Sequence, residues 1–124
     1  MITEDYVSFE TAKLLKERGF DEECSCFYDN IDYGTPGLEV DGRLYYKNSA
    51  LDDEEYAAPT LQMTMKWLRK VYGLFIRITE DMTGNVFEWS VYQKNYGCKA
   101  STYVEESYEQ ACETAIKYCL KNLI

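Results

Sequence analysis

Histidine is absent from these 124 residues, and its absence excludes more chemistry than any other feature of the composition. Histidine is the side chain whose unperturbed pKa lies near neutrality, and it is the commonest metal ligand in proteins. Without it, Ser-His and Cys-His nucleophile pairs and HExxH zinc sites cannot form. The seven glycines are scattered, and neither GxGxxG nor GxxxxGK[ST] occurs. The sequence therefore predicts a protein that is not an enzyme and that holds no cofactor.

Long apolar runs and targeting segments are also missing. No apolar run approaches the ~18 residues needed to span a bilayer, and the first residues have neither the basic nor the apolar part of a signal peptide. Five cysteines, an odd number without a secretion signal, are typical of reduced thiols. Cys24 and Cys26 are one residue apart and no CxxC occurs, so no metal site is predicted. We therefore expect a cytoplasmic protein without a membrane span.

Basic residues are scarce, at 13 against 22 acidic ones, for a net charge of −9. Such a surface repels nucleic acid, whose affinity for proteins comes largely from lysine and arginine, and it repels anionic membranes. Four of the acids follow one another as Asp52, Asp53, Glu54 and Glu55, just before a predicted helix whose dipole they would stabilise. The expected partner is another protein, either one with a basic surface or a second copy of this chain.

What is present is ample material for a core, since 46% of residues are hydrophobic and 15% aromatic. A chain of this length fits one domain, here residues 1–124. Ser8 is a good N-cap for a first helix that Gly19 ends, and Pro59 begins a second helix that Gly73 ends. A third helix starts after Ser107, which stands in capping-box spacing with a later Gln.

Period-two alternation predicts strands between the helices. Residues 24–28 form a first strand, and residues 38–40 and 44–46 flank Asp41-Gly42, a strong hairpin signal. Residues 47–58 are expected to be a loop. After the second helix, residues 74–79, 86–93 and 100–104 predict an antiparallel meander. The fold class is therefore α+β in the order α-β-β-β-α-β-β-β-α, with the hairpin extending the meander and the second and third helices packed on one face.

Aromatic residues exceed what one core requires, and aromatics and methionine are enriched at interfaces. Met63 and Trp67 lie on the shoulder of the second helix, and alternation directs Phe75, Tyr92 and Tyr103 away from the helices. Together with Asp52, Asp53, Glu54 and Glu55 they make up the candidate interaction surface. The alternative is that the first helix and the hairpin cover these rings, which is expected more for Phe75 than for Trp67.

The order of helix, three strands and helix from residue 59 onward resembles the double-stranded-RNA-binding domain. That family carries Ser-Lys-Lys-x-Ala-Lys at the start of its last helix, where this chain has Ser-Tyr-Glu-Gln-Ala-Cys at residues 107–112. The resemblance implies the topology without the lysines that contact phosphates, and so without RNA binding.

Residues 7–15, residues 58–69 and residues 107–118 are similar to small uncharacterised proteins found in phage and mobile-element regions of gut Bacteroidetes. This resemblance implies an accessory protein and supplies no catalytic residues. The leading hypothesis is a small acidic binding module. The alternatives are an acidic decoy that inhibits a nucleic-acid-binding protein, an enzyme that uses carboxylates and a metal ion, and a nucleic-acid stacking platform on the outer aromatics.

Overall fold

The computed structural model describes residues 2–29, 37–40 and 45–124, with the backbone alone at residues 37, 39, 40 and 102–104. The described chain divides into two compact units at Thr60. The elements follow the predicted order, and the α+β class is confirmed. The Asp41-Gly42 turn lies outside the described residues.

The first unit contains one helix and a three-stranded sheet. Its elements are α1 (Phe9–Glu17), β1 (Cys26–Asp29), β2 (Gly37–Val40), a short 3₁₀ turn (Asn48–Ala50) and β3 (Glu55–Ala57). The strand order is β2-β1-β3, and both pairings are antiparallel. Helix α1 packs against β3.

The second unit contains two helices and an antiparallel meander. Its elements are α2 (Leu61–Tyr72), β4 (Leu74–Glu80), β5 (Phe87–Gln93), β6 (Gly97–Glu105), α3 (Tyr108–Tyr118) and a π-helical turn (Cys119–Leu123). Helix α3 packs across all three strands, and α2 contacts β4 and α3. The prediction that these two helices share one side of the meander agrees with those contacts.

Local signals at the helix ends are confirmed. Ser8 accepts a hydrogen bond from the backbone N–H of Thr11, and Ser107 accepts one from the N–H of Gln110. Gly19 and Gly73 adopt positive φ angles of 86° and 66°, which only glycine adopts readily, directly after their helices. Helix α2, however, begins at Leu61 rather than at the predicted Pro59.

Strand pairing in the first unit differs from the prediction. The third strand of this sheet is β3, which lies within the predicted loop. Of the predicted strand 44–46, residue 44 lies outside the described residues, and Tyr46 forms an isolated bridge with Cys24. The expectation that the N-terminal strands extend the meander is wrong, because the described strands form two separate sheets. β3 exists because Ala57 and its neighbours pair with β1, a contact about thirty residues away that local sequence does not encode.

Candidate functional site

The exposed surface of the second sheet lies opposite its helices. On the face that packs against the helices, the Trp89 ring lies 5.5 Å from the ring of Tyr118, and the Phe87 ring lies 6.5 Å from the ring of Tyr108. Both tyrosines belong to α3. Alternation along the strands turns the intervening residues to the other side, which we call the outer face. The outer face comprises Phe75, Arg77, Thr79, Glu88, Ser90, Tyr92, Cys98 and Ser101.

Strand register sets the neighbours on the outer face. Phe75 is the cross-strand partner of Tyr92, and Tyr92 is in turn the partner of Cys98 in β6. Phe75 remains 43% exposed, a large fraction for a phenylalanine within a sheet. The sequence prediction that Phe75 points away from the helices is confirmed, whereas the expectation that it is more covered than Trp67 is wrong.

Arg77 leans over its neighbour on β5. Its guanidinium carbon lies 4.9 Å from the centroid of the Tyr92 ring, within the range of a cation–π interaction. Beside this pair is a depression of about 330 Å³, lined mainly by hydroxyl and charged side chains. These are Thr79, Glu88, Ser90 and Ser101. The outer face therefore combines aromatic surface, a cation, an anion and small polar groups in one place.

Not all of the predicted interaction residues belong to this surface. Trp67 is only 8% exposed, and its ring contacts the ring of Tyr72 at 5.2 Å. The expectation that Trp67 offers an exposed ring is wrong, because the buried arc of α2 is wide enough to include it beside Leu68 and Thr64. Met63 is half-buried on the same helix, and the side chain of Tyr103 lies outside the described residues.

The acidic run from Asp52 to Glu55 forms hydrogen bonds that stabilise the turn before β3. The Lys16 ammonium donates hydrogen bonds to the backbone carbonyls of Asp52 and Glu55 at 2.8 and 2.9 Å. The carboxylate of Glu55 accepts the backbone N–H of Asp52 at 2.9 Å. The side chains of Asp52, Asp53 and Glu54 are exposed. The run closes the turn into β3, in the other unit from the outer face, so the structure does not bring the two halves of the predicted surface into one unit.

A second depression of about 350 Å³ lies in the first unit, where α1 ends. Its polar side chains form hydrogen bonds within the first unit. Asn48, 6% exposed, donates to the carbonyl of Phe20 and accepts from the N–H of Ala57. Asp21 accepts the backbone N–H of Ser49 at 2.7 Å, a hydrogen bond that lowers the pKa of its carboxyl group. These hydrogen bonds hold the end of α1 against the sheet. The polar groups of this depression therefore have a structural role.

The thiols fall into two groups. Cys24, Cys26, Cys112 and Cys119 are buried, and Cys98 is exposed on the outer face. Burial raises the pKa of Cys24 and of Cys119 to about 12, which suppresses the reactive thiolate. Within the described residues, His, Cys, Asp and Glu side chains form no group of three or more that could hold a metal ion. None of the described helices has the length and hydropathy to cross a membrane.

Charge is unequally divided between the two units. Residues 1–60 carry 15 acidic and 5 basic side chains, whereas residues 61–124 carry 7 acidic and 8 basic ones. The first unit therefore bears the whole net negative charge, and the second is close to neutral. The outer face belongs to the near-neutral unit, which total composition did not reveal.

No family model, curated protein or solved structure matches this chain. Alternation along the strands places Phe75, Arg77 and Tyr92 on the same side of the meander. The predicted site nevertheless did not include Arg77, Glu88, Ser90 or Ser101, although alternation along β5 also indicates the side of Glu88 and Ser90. Ser101 could not have been assigned, because the register between β5 and β6 shifts between Val91 and Tyr92.

Proposed function

We propose that this protein is a non-enzymatic binding module that engages a partner protein through the outer face of its second sheet. The observation that carries the proposal is Phe75, a large apolar side chain left 43% exposed beside the Arg77–Tyr92 pair. Exposed faces of antiparallel sheets are normally polar, and aromatic residues and arginine are the types enriched in the centres of protein interfaces. An accessory role in a phage or mobile element, as the resemblance of three stretches implies, forms part of this proposal.

The chemistry available on the chain favours binding over catalysis. No histidine can act as a base, and the buried thiols Cys24 and Cys119 are held in their protonated form. The hydroxyls of Ser90 and Ser101 lie next to Arg77 and Glu88, a set that donates and accepts hydrogen bonds. Such groups around an aromatic pair suit the polar surroundings of a buried anchor residue in an interface.

Site-specific photo-crosslinking tests the proposal. A photoreactive phenylalanine analogue is placed at position 75 or, as a matched control, at position 108 on α3. Tyr108 is a suitable control because it is also aromatic and is 39% exposed, close to the value for Phe75. In cells that produce the protein, irradiation is expected to give a discrete protein adduct from position 75 and none from position 108.

The same experiment has a clear negative result. Equal, diffuse labelling from both positions, or no adduct from position 75, would contradict the assignment of the binding surface. In a second measurement, Arg77→Ala is combined with the analogue at position 75. Removing the cation should lower the yield of the adduct. The far-ultraviolet circular dichroism of each variant shows that the fold is retained.

A further inference from the structure

We infer that the partner bound by the outer face is a second copy of this chain, packed face to face about a two-fold axis. This inference rests on the proposed function, because it names the partner of the same surface. In a two-fold dimer each copy uses the same patch, so the patch must be complementary to itself. The outer face meets that condition in the order of its side chains.

The strand register arranges the outer face in three rows that run across the strands. The first row is Phe75, Tyr92 and Cys98. The middle row is Arg77, Ser90 and Ser101. The third row begins with Thr79 and Glu88. A two-fold axis lying along the middle row, between two stacked sheets, places the first row of one copy over the third row of the other.

This axis brings opposite charges together. The Arg77 guanidinium is displaced from the middle row toward the first, because it lies 4.9 Å from the Tyr92 ring. Glu88 stands in the third row, two residues from Ser90 on the same strand. In the dimer, Glu88 of the second copy therefore faces Tyr92 and the guanidinium above it. By symmetry the same ion pair forms a second time.

Steric features of the rows favour the same arrangement. The axis places each residue of the middle row opposite its own counterpart. Ser90 and Ser101 are small, which allows the two sheets to approach. The two Arg77 guanidinium groups avoid each other, because each is displaced toward Tyr92 of its own copy and the two displacements run in opposite directions along the strands. Phe75, which is 43% exposed, lies opposite Thr79 of the second copy and covers its methyl group. Aligned packing of two sheets is a common arrangement in proteins, with the layers about 10 Å apart.

The unit that carries the outer face is close to neutral, with 8 basic and 7 acidic residues, so its net charge does not oppose contact with the same unit of a second copy. The net negative charge belongs to the first unit. A second copy is also preferred to nucleic acid, because the outer face holds Glu88 as well as Arg77. A phosphate backbone would be repelled by that carboxylate, whereas a second copy uses it.

The size of the face indicates to which class of interface the dimer belongs. Three strands about 4.8 Å apart and about seven residues long at 3.4 Å per residue cover about 340 Å² per copy. The total of about 700 Å² is below the ~1,200 Å² at which stable complexes begin. The dimer is therefore expected to be weaker than complexes of standard size and to dissociate on dilution.

Sedimentation equilibrium of the full chain, from about 10 µM to about 2 mM, tests the inference by charge reversal. The unaltered protein should show monomer and dimer in this range. Arg77→Glu alone and Glu88→Arg alone should each weaken association at least ~10-fold, because like charges then face each other twice. The double variant R77E/E88R should restore it. Mixing R77E with E88R should also restore it, through heterodimers in which both pairs are again opposite.

The control is Lys70→Glu, which reverses an exposed charge on α2 and should leave association unchanged. A strictly monomeric protein throughout the range would overturn the inference. So would single reversals without effect, or a double variant and a mixture that both stay monomeric. Thermal unfolding of each variant separates loss of association from loss of fold, and the mixture remains informative if the double variant is unstable.

Failure of this inference can be told apart from failure of the proposed function. A monomeric protein that still gives an adduct of another mass from position 75 would disprove the dimer and support the binding surface. A protein without any adduct from position 75 and without self-association would contradict both. An adduct of twice the chain mass that disappears with R77E would support both.

Discussion

At the scale of single residues, exposure and hydrogen bonding separate the side chains that bind from those that hold the fold. Alternation along β4 and β5 is enough to place Phe75 and Tyr92 on one side of the sheet, and the structure agrees. Helical spacing along α2, in contrast, is not enough to predict that Trp67 is buried, because the width of the buried arc depends on what packs around that helix. Exposure of an individual ring is a tertiary property.

The five thiols provide a prediction at this scale. In the native protein at pH 8, we expect a disulfide reagent to modify Cys98 rapidly and the four buried thiols at least ~100-fold more slowly. Burial raises the pKa of Cys24 and of Cys119 to about 12, so both thiols are almost entirely protonated at that pH.

The control is Cys98→Ser, which should abolish the rapid phase without changing the slow one. In denaturant, all five thiols of the unaltered protein should react together. Two or more thiols in the rapid phase of the native protein would contradict the burial described for these residues.

At the scale of elements, the ends of helices could be predicted and the pairing of strands could not. Ser8, Ser107, Gly19 and Gly73 act within a few residues of their own position, so the sequence around each contains the whole signal. β3 was missed because it is three residues long, begins in an acidic run and exists through its pairing with β1. Separation into two sheets was missed for the same reason, since edge strands do not specify their neighbours locally.

Asn48 provides a prediction at the scale of elements, because it joins the end of α1 to β3. Replacing it with alanine leaves the carbonyl of Phe20 and the N–H of Ala57 without their buried partner. We expect Asn48→Ala to lower the free energy of unfolding by about 2–4 kcal/mol, measured by urea denaturation. Asn122→Ala is the control, because the side chain of Asn122 is exposed and donates to the carbonyl of Tyr118, and its loss should cost less than about 0.5 kcal/mol.

A small loss of stability for Asn48→Ala would contradict the role assigned to this side chain. A loss below about 1 kcal/mol would mean that water replaces both hydrogen bonds and that the end of α1 is not held by this side chain. A loss of several kcal/mol for Asn122→Ala would show that the two amides do not differ as their burial indicates.

At the scale of the whole molecule, the division of charge changes what the composition implies. A net charge of −9 suggested an acidic protein throughout, yet the second unit is close to neutral. An acidic decoy function, one alternative that the sequence raised, would therefore belong to the first unit, whereas the outer face belongs to the second. Which unit contacts a partner is consequently the question that separates these two accounts.

Hydroxyl-radical footprinting answers that question most directly, by comparing the oxidation of each side chain in cells that contain the protein at high concentration with that in dilute purified protein. Three exposed aromatics serve as probes: Phe75 on the outer face, Tyr108 on α3 and Tyr45, 70% exposed, in the first unit. Binding through the outer face predicts that oxidation of Phe75 falls in cells while that of Tyr108 and Tyr45 is unchanged. Protection of Tyr45 without protection of Phe75, or an equal change at all three, would contradict it.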